Sequence, residues 1–316
     1  MTSFAIIGAG YMAREHIKAL MQIKGVTIAG IMGRTPEKTA AVAEEFSIPA
    51  IATTISELHD KAAADGLIIC ASELAAPALI NDALDYPWAI LAEKPVGLFA
   101  RDAMALAEKI GTHKRSFYIA MNRRHYSSTV NALEILGQDD QPRVIEVHDQ
   151  ENIIAAITAG VPREVVSRWM VANSIHLIEY LTLFGRGQID RVETIRELDP
   201  AHPFFTHKAV HFDSGDIGIY TALWNAPGPW SVRVTTQSRM LEMRPLEQLE
   251  EQLFPSKARQ PVPLSGDDSI CKPGLLRQAS QLVDAISGNP HQLPDMTAYL
   301  KTHHLVEMLY PQSLEV

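Results

Sequence analysis

The chain has 316 residues, of which 47% are hydrophobic and 21% charged, and its formal net charge is −9. This length predicts two domains, and the composition excludes a largely disordered chain. The negative charge argues against broad nucleic-acid or anionic-membrane binding, because no surplus of basic residues neutralises phosphates. Two cysteines are too few for a disulfide framework or a zinc site. No basic leader and no long apolar run occurs, so we expect a cytoplasmic protein without a membrane span.

The first 122 residues alternate between short apolar strands and helices. Strands are predicted at residues 4–7, 26–32, 66–70, 88–92 and 116–121. Helices are predicted between them at residues 14–23, 37–46, 75–84 and 100–111. Strict alternation with short connections predicts an α/β domain with a doubly wound parallel sheet over residues 1–122.

The pattern changes from residue 123 onward. Helices are predicted at residues 127–136 and 173–184, with a long strand at 143–154 between them. Further strands are predicted in series at residues 188–196, 206–212, 217–224 and 230–236. Successive strands without helices predict an open, mostly antiparallel sheet in an α+β domain over residues 123–316. Closing helices are predicted at 275–286 and 297–309, after a loose loop at 255–273, and they could pack back on the first domain.

A glycine motif follows the first strand. Gly8, Gly10 and Ala13 form the pattern Gly-x-Gly-x-x-Ala, with Tyr11 and Met12 inside it. The first glycine permits a tight turn, the second lets a pyrophosphate approach the backbone, and the small third residue allows close helix packing. Free amides at the start of the next helix would bind the anion. The motif predicts an NAD(P)-binding Rossmann domain, and the alternative is a purely structural turn.

The end of the second strand bears on the choice between NAD and NADP. An acidic residue that binds the ribose 2′-hydroxyl is usual there, but this chain has Gly33, Arg34 and Thr35. Gly33 leaves room, and the guanidinium of Arg34 suits a 2′-phosphate. The sequence therefore predicts NADP in preference to NAD, unless Arg34 only stacks on the adenine or is solvated. The residues after the 66–70 strand are also expected to border the cofactor: Ala71, Ser72 and Glu73.

The strand at 88–92 delivers Glu93, Lys94 and Pro95 at its carboxyl end, where open α/β sheets bind ligands. Hydride transfer at a carbinol carbon needs a group that accepts the hydroxyl proton. A lysine does this when burial or a cationic ring lowers its pKa. We predict that Lys94 transfers this proton and contacts both cofactor and substrate. Glu93 is predicted to orient the lysine or the cofactor, and the alternative for Lys94 is a solvated loop lysine.

Taken together, these segments resemble the glucose–fructose oxidoreductase, inositol dehydrogenase and MocA (Gfo/Idh/MocA) family. The resemblance rests on Glu93-Lys94-Pro95, on Asn122-Arg123-Arg124 and on His176-Leu177-Ile178-Glu179, together with strand-like segments at 230–234 and 240–244. It implies hydride transfer at a sugar, polyol or nucleotide-sugar carbon. It also implies a cis Lys-Pro bond and a homodimer or homotetramer formed through the C-terminal sheet.

The resemblance makes His176 the second catalytic residue, which binds the reacting hydroxyl. The aspartate that the family usually has four residues earlier is replaced by Ala172, and Asn173 is the nearest polar candidate for the substrate. The alternative is that His176 is a structural residue of its helix, with its hydrogen bonds satisfied there. The other predicted substrate contacts are Arg123, Arg124 and Trp169, for which a surface pair and a core tryptophan are the alternatives.

The sequence thus favours an NADP-preferring sugar or nucleotide-sugar dehydrogenase or ketoreductase with a small-molecule substrate. Two other functions stay open. The missing acid at Ala172 favours a non-catalytic, cofactor-binding sensor or assembly protein, and a third possibility is a reductase of a non-sugar carbonyl or imine. No metal is expected, because the twelve histidines show no ligand spacing with acidic or thiolate partners.

Overall fold

In the computed structural model, which describes residues 1–316, the chain divides into two units. The first unit combines residues 1–125 with residues 267–300, and the second combines residues 126–266 with residues 301–316. Both units are therefore built from two separate stretches of the chain. None of the helices is long and apolar enough to cross a bilayer.

A six-stranded parallel sheet forms the centre of the first unit. Its strands are β1 (Thr2–Ile7), β2 (Val26–Met32), β3 (Ala50–Ala52), β4 (Gly66–Ile69), β5 (Ala89–Glu93) and β6 (Phe117–Ala120), in the order β3-β2-β1-β4-β5-β6. This order confirms the predicted doubly wound α/β fold, in which β1 and β4 flank the point where the strand order reverses. The three-residue strand β3 was not predicted, and Glu93 lies inside β5.

Five helices connect these strands. They are α1 (Tyr11–Met21), α2 (Pro36–Glu45), α3 (Ile55–Ala62), α4 (Ala76–Ala83) and α5 (Ala100–His113). Helix α1 begins at Tyr11 and not at Arg14 as the sequence pattern predicted, because Gly10 already occupies the N-cap position. Tyr11, Met12 and Ala13 therefore form its first turn. A short 3₁₀ turn (Asn122–His125) follows β6.

An eight-stranded sheet forms the centre of the second unit. Its strands are β7 (Val144–Glu151), β8 (Ile189–Arg196), β9 (Phe205–Phe212), β10 (Ile217–Trp224), β11 (Ser231–Thr235), β12 (Arg239–Met243), β13 (Glu250–Leu253) and β14 (Gln260–Pro261). The order is β14-β13-β12-β11-β7-β10-β9-β8, and only β7 and β10 pair in parallel. The predicted mostly antiparallel sheet is confirmed, although β13 and β14 were not predicted.

The helices of the second unit precede most of its sheet. They are α6 (Ser127–Leu136), α7 (Ile153–Thr158), α8 (Arg163–Ser167) and α9 (Ile175–Phe184), and a π-helical turn (Met170–Ser174) leads directly into α9. The predicted strand at 143–154 ends at Glu151, and its last residues belong to α7. The predicted helix at 173–184 is divided, because its first two residues lie in the π-helical turn.

The C-terminal helices complete the first unit before the chain enters the second unit again. They are α10 (Asp267–Ile270), α11 (Leu275–Ile286) and α12 (Met296–Leu309). Leu275, Ala279 and Leu282 of α11 share one hydrophobic core with Ala13 and Ile17 of α1. The stretch expected to be a loose loop therefore contains β14 and α10, and α11 covers a face of α1.

Candidate functional site

The turn between β1 and α1 has the properties of an anion site. Gly8 has φ +120°, and a Cβ there would overlap the carbonyl oxygen of Cys70. A Cβ on Gly10 would meet nothing within 4 Å, so the space beside this residue is open. Gly10 is the N-cap of α1 without a side-chain cap, and the first turn holds no acidic residue. The free amides of this helix terminus are therefore available to an anion.

A cleft of about 550 Å³ lies at the carboxyl ends of the strands that flank this turn. Seven of the predicted cofactor residues line it: Gly8, Gly10, Gly33, Arg34, Thr35, Ala71 and Ser72. Six others are absent from the lining: Tyr11, Met12, Ala13, Glu73, Glu93 and Lys94. The first three of these belong to the helix turn just described, so the cleft and the amides together form one surface suited to a dinucleotide.

The charge of the cleft supports the prediction, made from the residues after the second strand, that NADP is preferred to NAD. Its lining includes two cations, Arg34 and Lys38, and no carboxylate. Sequence reasoning missed Lys38, although its position four residues after Arg34, in the first turn of α2, was a usable signal. A second cation beside Arg34 suits a 2′-phosphate and disfavours the acidic recognition of a 2′-hydroxyl.

Gly33 has a structural role as well as leaving room for a ligand. A Cβ at this position would overlap the hydroxyl of Thr39 and press on the side chain of Ala9 at 3.3 Å. The Thr39 hydroxyl donates a hydrogen bond to the carbonyl of Thr35 at 2.9 Å. The glycine therefore allows the first turn of α2 to pack against the phosphate-binding turn.

Cys70 also lines the cleft, but its thiol is not poised for reaction. Burial, with the nearby negative charge of Glu93, raises the pKa of the Cys70 thiol well above its usual value. The group therefore stays protonated and acts as a small apolar wall residue.

The carboxylate at the end of β5 contacts the phosphate-binding helix. Glu93 Oε1 lies 2.8 Å from Nε2 of His16, a residue of α1 that is buried. The peptide bond between Lys94 and Pro95, just after this strand, is cis, as the resemblance implied. The strand that presents Lys94 is thus joined directly to helix α1. His16 gave no signal in the sequence, because 77 residues separate it from Glu93.

The 3₁₀ turn after β6 holds the two predicted arginines. Arg123 is buried and Arg124 is half-buried, and Asn122 Nδ2 donates to the carbonyl of Pro273 at 3.0 Å. Burial, with the positive charges of Arg124 and Arg277, lowers the pKa of His125 to about 3. His125 is therefore neutral at physiological pH, and it adds no positive charge to a turn that already contains two arginines.

In the second unit, one buried carboxylate contacts two of the predicted substrate residues, Trp169 and Asn173. Glu151 Oε2 accepts from Trp169 Nε1 at 2.6 Å, and Asn173 Nδ2 donates to both carboxylate oxygens at 3.0 and 2.8 Å. Ser174 Oγ donates to Glu151 Oε1 at 3.1 Å. Sequence reasoning missed Glu151, although an acid on the buried face of an apolar strand was a visible signal.

A second buried acid lies beside Glu151 on the same face of β7. Asp149 accepts from the hydroxyl of Tyr220 at 2.7 Å, and this hydroxyl lies 3.0 Å from that of Tyr310. Trp224 Nε1 donates to the Tyr310 hydroxyl at 3.3 Å. Burial and the negative charge of Asp149 raise the pKa of Glu151 well above its usual value. Negative charge on one of these acids therefore opposes ionisation of the other.

The predicted catalytic and substrate residues are divided between the two units. Lys94, Arg123 and Arg124 belong to the first. Those of the second unit are Trp169, Asn173 and His176, and the structure brings the first two together on Glu151. His176 lies in the first turn of α9, three residues after Asn173, and is buried.

Comparison with known proteins agrees with this geometry. Residues 2–121 match the model of the GFO_IDH_MocA family, described as an oxidoreductase family with an NAD-binding Rossmann fold. No curated protein sequence matches the chain.

Solved structures with the same fold span nearly the whole chain. An aldose–aldose oxidoreductase from Caulobacter crescentus aligns with a TM-score of 0.82 at 16% identity, over 98% of this chain and 96% of the other. A UDP-N-acetylglucosamine 3-dehydrogenase from Acidithiobacillus ferrooxidans aligns at 0.76 and 18%, over 96% and 95%. An oxidoreductase from Agrobacterium radiobacter, solved with NAD⁺, L-tartaric acid and magnesium, aligns at 0.78 and 17%, over 98% and 95%. At these identities the likeness establishes the fold.

Proposed function

Because its Rossmann domain, residues 2–121, belongs to the Gfo/Idh/MocA family of NAD-binding oxidoreductases, we propose that this protein is an NADP-preferring dehydrogenase or reductase. It transfers a hydride to or from a carbinol or keto carbon of a sugar, polyol or nucleotide-sugar. The observation that carries the proposal is the cleft with its uncapped helix terminus, two cations and no carboxylate. The parallel strand β5 presents Lys94 after its carboxyl end, at the same edge of the same sheet.

The residues of the cleft suit the dinucleotide part by part. Gly8 and Gly10 with the first amides of α1 would hold the pyrophosphate, and Arg34 with Lys38 would pair with the 2′-phosphate. When bound, the nicotinamide accepts or supplies the hydride. The chain's own task is to bind the substrate beside it and to move the hydroxyl proton.

In this proposal, Lys94 takes the proton from the substrate hydroxyl during oxidation and returns it during reduction. His176 binds the same hydroxyl, and the remaining substrate contacts are Arg123, Arg124, Trp169 and Asn173. A sugar-like substrate is supported by the fold shared with an aldose–aldose oxidoreductase and a UDP-N-acetylglucosamine 3-dehydrogenase.

The test is Lys94→Ala, assayed with a substrate found by screening sugars, polyols and nucleotide-sugars with NADPH and NADP⁺. Loss of a general acid–base group is expected to lower kcat by about 10²–10⁴-fold, while the Kd for NADPH stays unchanged. Lys24→Ala, which alters an exposed lysine of the same unit, is the matched control. An unchanged kcat in Lys94→Ala would refute the role of this lysine.

A second candidate is favoured by Ala172, which provides no acid beside His176. In that case the protein binds NADP without catalysis, as a sensor or an assembly partner. NADPH that binds tightly but is oxidised by no compound of the panel would support it. Adding imines and non-sugar ketones to the panel tests a third candidate, a reductase of non-sugar substrates.

We also propose a cytoplasmic homodimer or homotetramer formed through the C-terminal sheet. Along β10, Tyr220, Ala222 and Trp224 are buried, whereas the alternate residues Ile219 and Leu223 are only half-buried. Apolar side chains on the exposed face of a sheet suit contact with a second copy of the chain.

A further inference from the structure

The buried face of β7 carries an acid that no cation neutralises. Alternate residues of this strand, from Ile145 to Glu151, are buried, and α9 packs against the strand. Glu151 is 2% exposed, and all its described partners are neutral donors or the neighbouring acid Asp149. Burying a carboxylate in this way is costly unless its hydrogen bonds are satisfied, and a packed apolar side chain would avoid the cost. Stability alone therefore does not explain why an acid occupies position 151.

The donors to Glu151 all come from one short stretch of the chain. Trp169, Asn173 and Ser174 lie at or within the π-helical turn that leads into α9. Turns of this kind are rare and frequently occur at functional sites. One carboxylate thus fixes the turn at three points, directly before the helix that carries His176.

The contact also sets the orientation of the Asn173 amide. Asn173 Nδ2 lies at 3.0 and 2.8 Å from the two oxygens of Glu151, and a carboxyl keeps acceptor capacity whether or not it holds a proton, so the NH₂ group of Asn173 faces Glu151. The amide oxygen consequently points the other way, where it can accept a hydrogen bond. On this helical stretch, residues 173 and 176 are three apart and share a face.

We propose that Glu151 is a positioning residue, which holds Asn173 so that its amide oxygen accepts a hydrogen bond from a substrate hydroxyl. This inference rests on the proposed function, and it assigns the site a polyhydroxylated ligand, one hydroxyl of which donates a hydrogen bond to the amide oxygen of residue 173. Asp149 lies two residues before Glu151 on the same buried face of β7.

The test is a double-mutant cycle built on Glu151→Gln and Asn173→Ala. Glutamine keeps the shape, but it offers one acceptor oxygen where the turn presents several donors. We expect kcat/KM to fall roughly ten- to hundred-fold in each single variant, and the double variant to lose little more. The Kd for NADPH is expected to stay unchanged in all three. The matched control is Glu146→Gln, on the same strand but the opposite face.

A second measurement does not depend on activity. The indole N–H of Trp169, assigned by comparison with Trp169→Phe, is followed by ¹⁵N NMR. Its resonance should shift in Glu151→Gln and stay in place in Glu146→Gln, because only the first change alters its acceptor.

The outcomes separate this inference from the proposed function. Additive losses in the cycle, unchanged kinetics in Glu151→Gln, or an unmoved Trp169 resonance would each overturn the role of Glu151. A wild type that turns over no compound of the panel would refute the proposed function. That result would also remove the substrate part of the inference.

Discussion

Arg34 and Lys38 are the cations of the cleft, and their effect should be specific to the phosphorylated cofactor. Replacing Arg34 by Ser and Lys38 by Ala is expected to raise the Kd for NADPH roughly tenfold or more, because each change removes a charge-assisted contact to the 2′-phosphate. The Kd for NADH should change little. Fluorescence titration with both cofactors measures this, with the exposed Arg101→Ala as a control. Equal losses for NADPH and NADH would contradict the assignment.

His125 makes stability depend on pH in a predictable direction. Its folded pKa of about 3 lies below the ordinary 6.5, so between these values the unfolded chain binds the extra proton. The stability gained from a neutral His125 is therefore complete above pH 6.5 and is lost as the pH falls towards 3. The slope from one such group reaches about 1.4 kcal/mol per pH unit.

The prediction is checked with urea midpoints of the wild type and His125→Gln at several pH values. Glutamine does not titrate, so the variant should lose less stability than the wild type between about pH 7 and pH 5. Parallel midpoint curves for the two proteins would show that His125 does not titrate as described.

At the scale of single elements, the two glycines of the β1–α1 turn are expected to have different roles, Gly8 in folding and Gly10 in cofactor binding. Gly8→Ala places a Cβ against Cys70 at a positive φ, which should destabilise the apo protein by about 1–3 kcal/mol or more. Gly10→Ala meets no atom within 4 Å and keeps an ordinary φ of −89°, so the apo protein should melt at an unchanged temperature. It should nevertheless weaken NADPH binding, because the methyl group occupies the pyrophosphate's approach.

Thermal melts without cofactor and titrations with NADPH distinguish the two glycines. Gly8→Ala should lower Tm, and Gly10→Ala should change Kd alone. A Gly10→Ala protein that binds NADPH like the wild type would contradict the location of the pyrophosphate.

Elements with strong local signals were predictable, and contacts between distant residues were not. Apolar runs indicated β1, β2 and β5, and the glycine motif indicated the turn that precedes the phosphate-binding helix. Strand β3, with three residues, is too short to show a period. The π-helical turn depends on donors that meet Glu151 across about 20 residues, and the contact between His16 and Glu93 spans 77. Such contacts arise only when the strands come together.

At the scale of the whole molecule, the open face of the second sheet should assemble copies of the chain. Light scattering is expected to give a mass of two or four times 34.9 kDa. Ile219→Asp with Leu223→Asp should reduce it to one, because buried charges without partners disfavour association. Met104→Asp, an exposed apolar residue on α5, is the control. A wild type that is monomeric would refute the proposed assembly.

The interleaved order of the two units has a consequence for biosynthesis. Helix α11 completes the core around α1, and Tyr310 contacts Tyr220, yet both are translated after residues 126–266. The first unit can therefore be completed only after residues 126–266 of the second have been translated, and the second only after residues 267–300 of the first. A premature stop codon near residue 266 would not release an intact nucleotide-binding fragment, because the product would lack residues 267–300 of the first unit as well as residues 301–316 of the second.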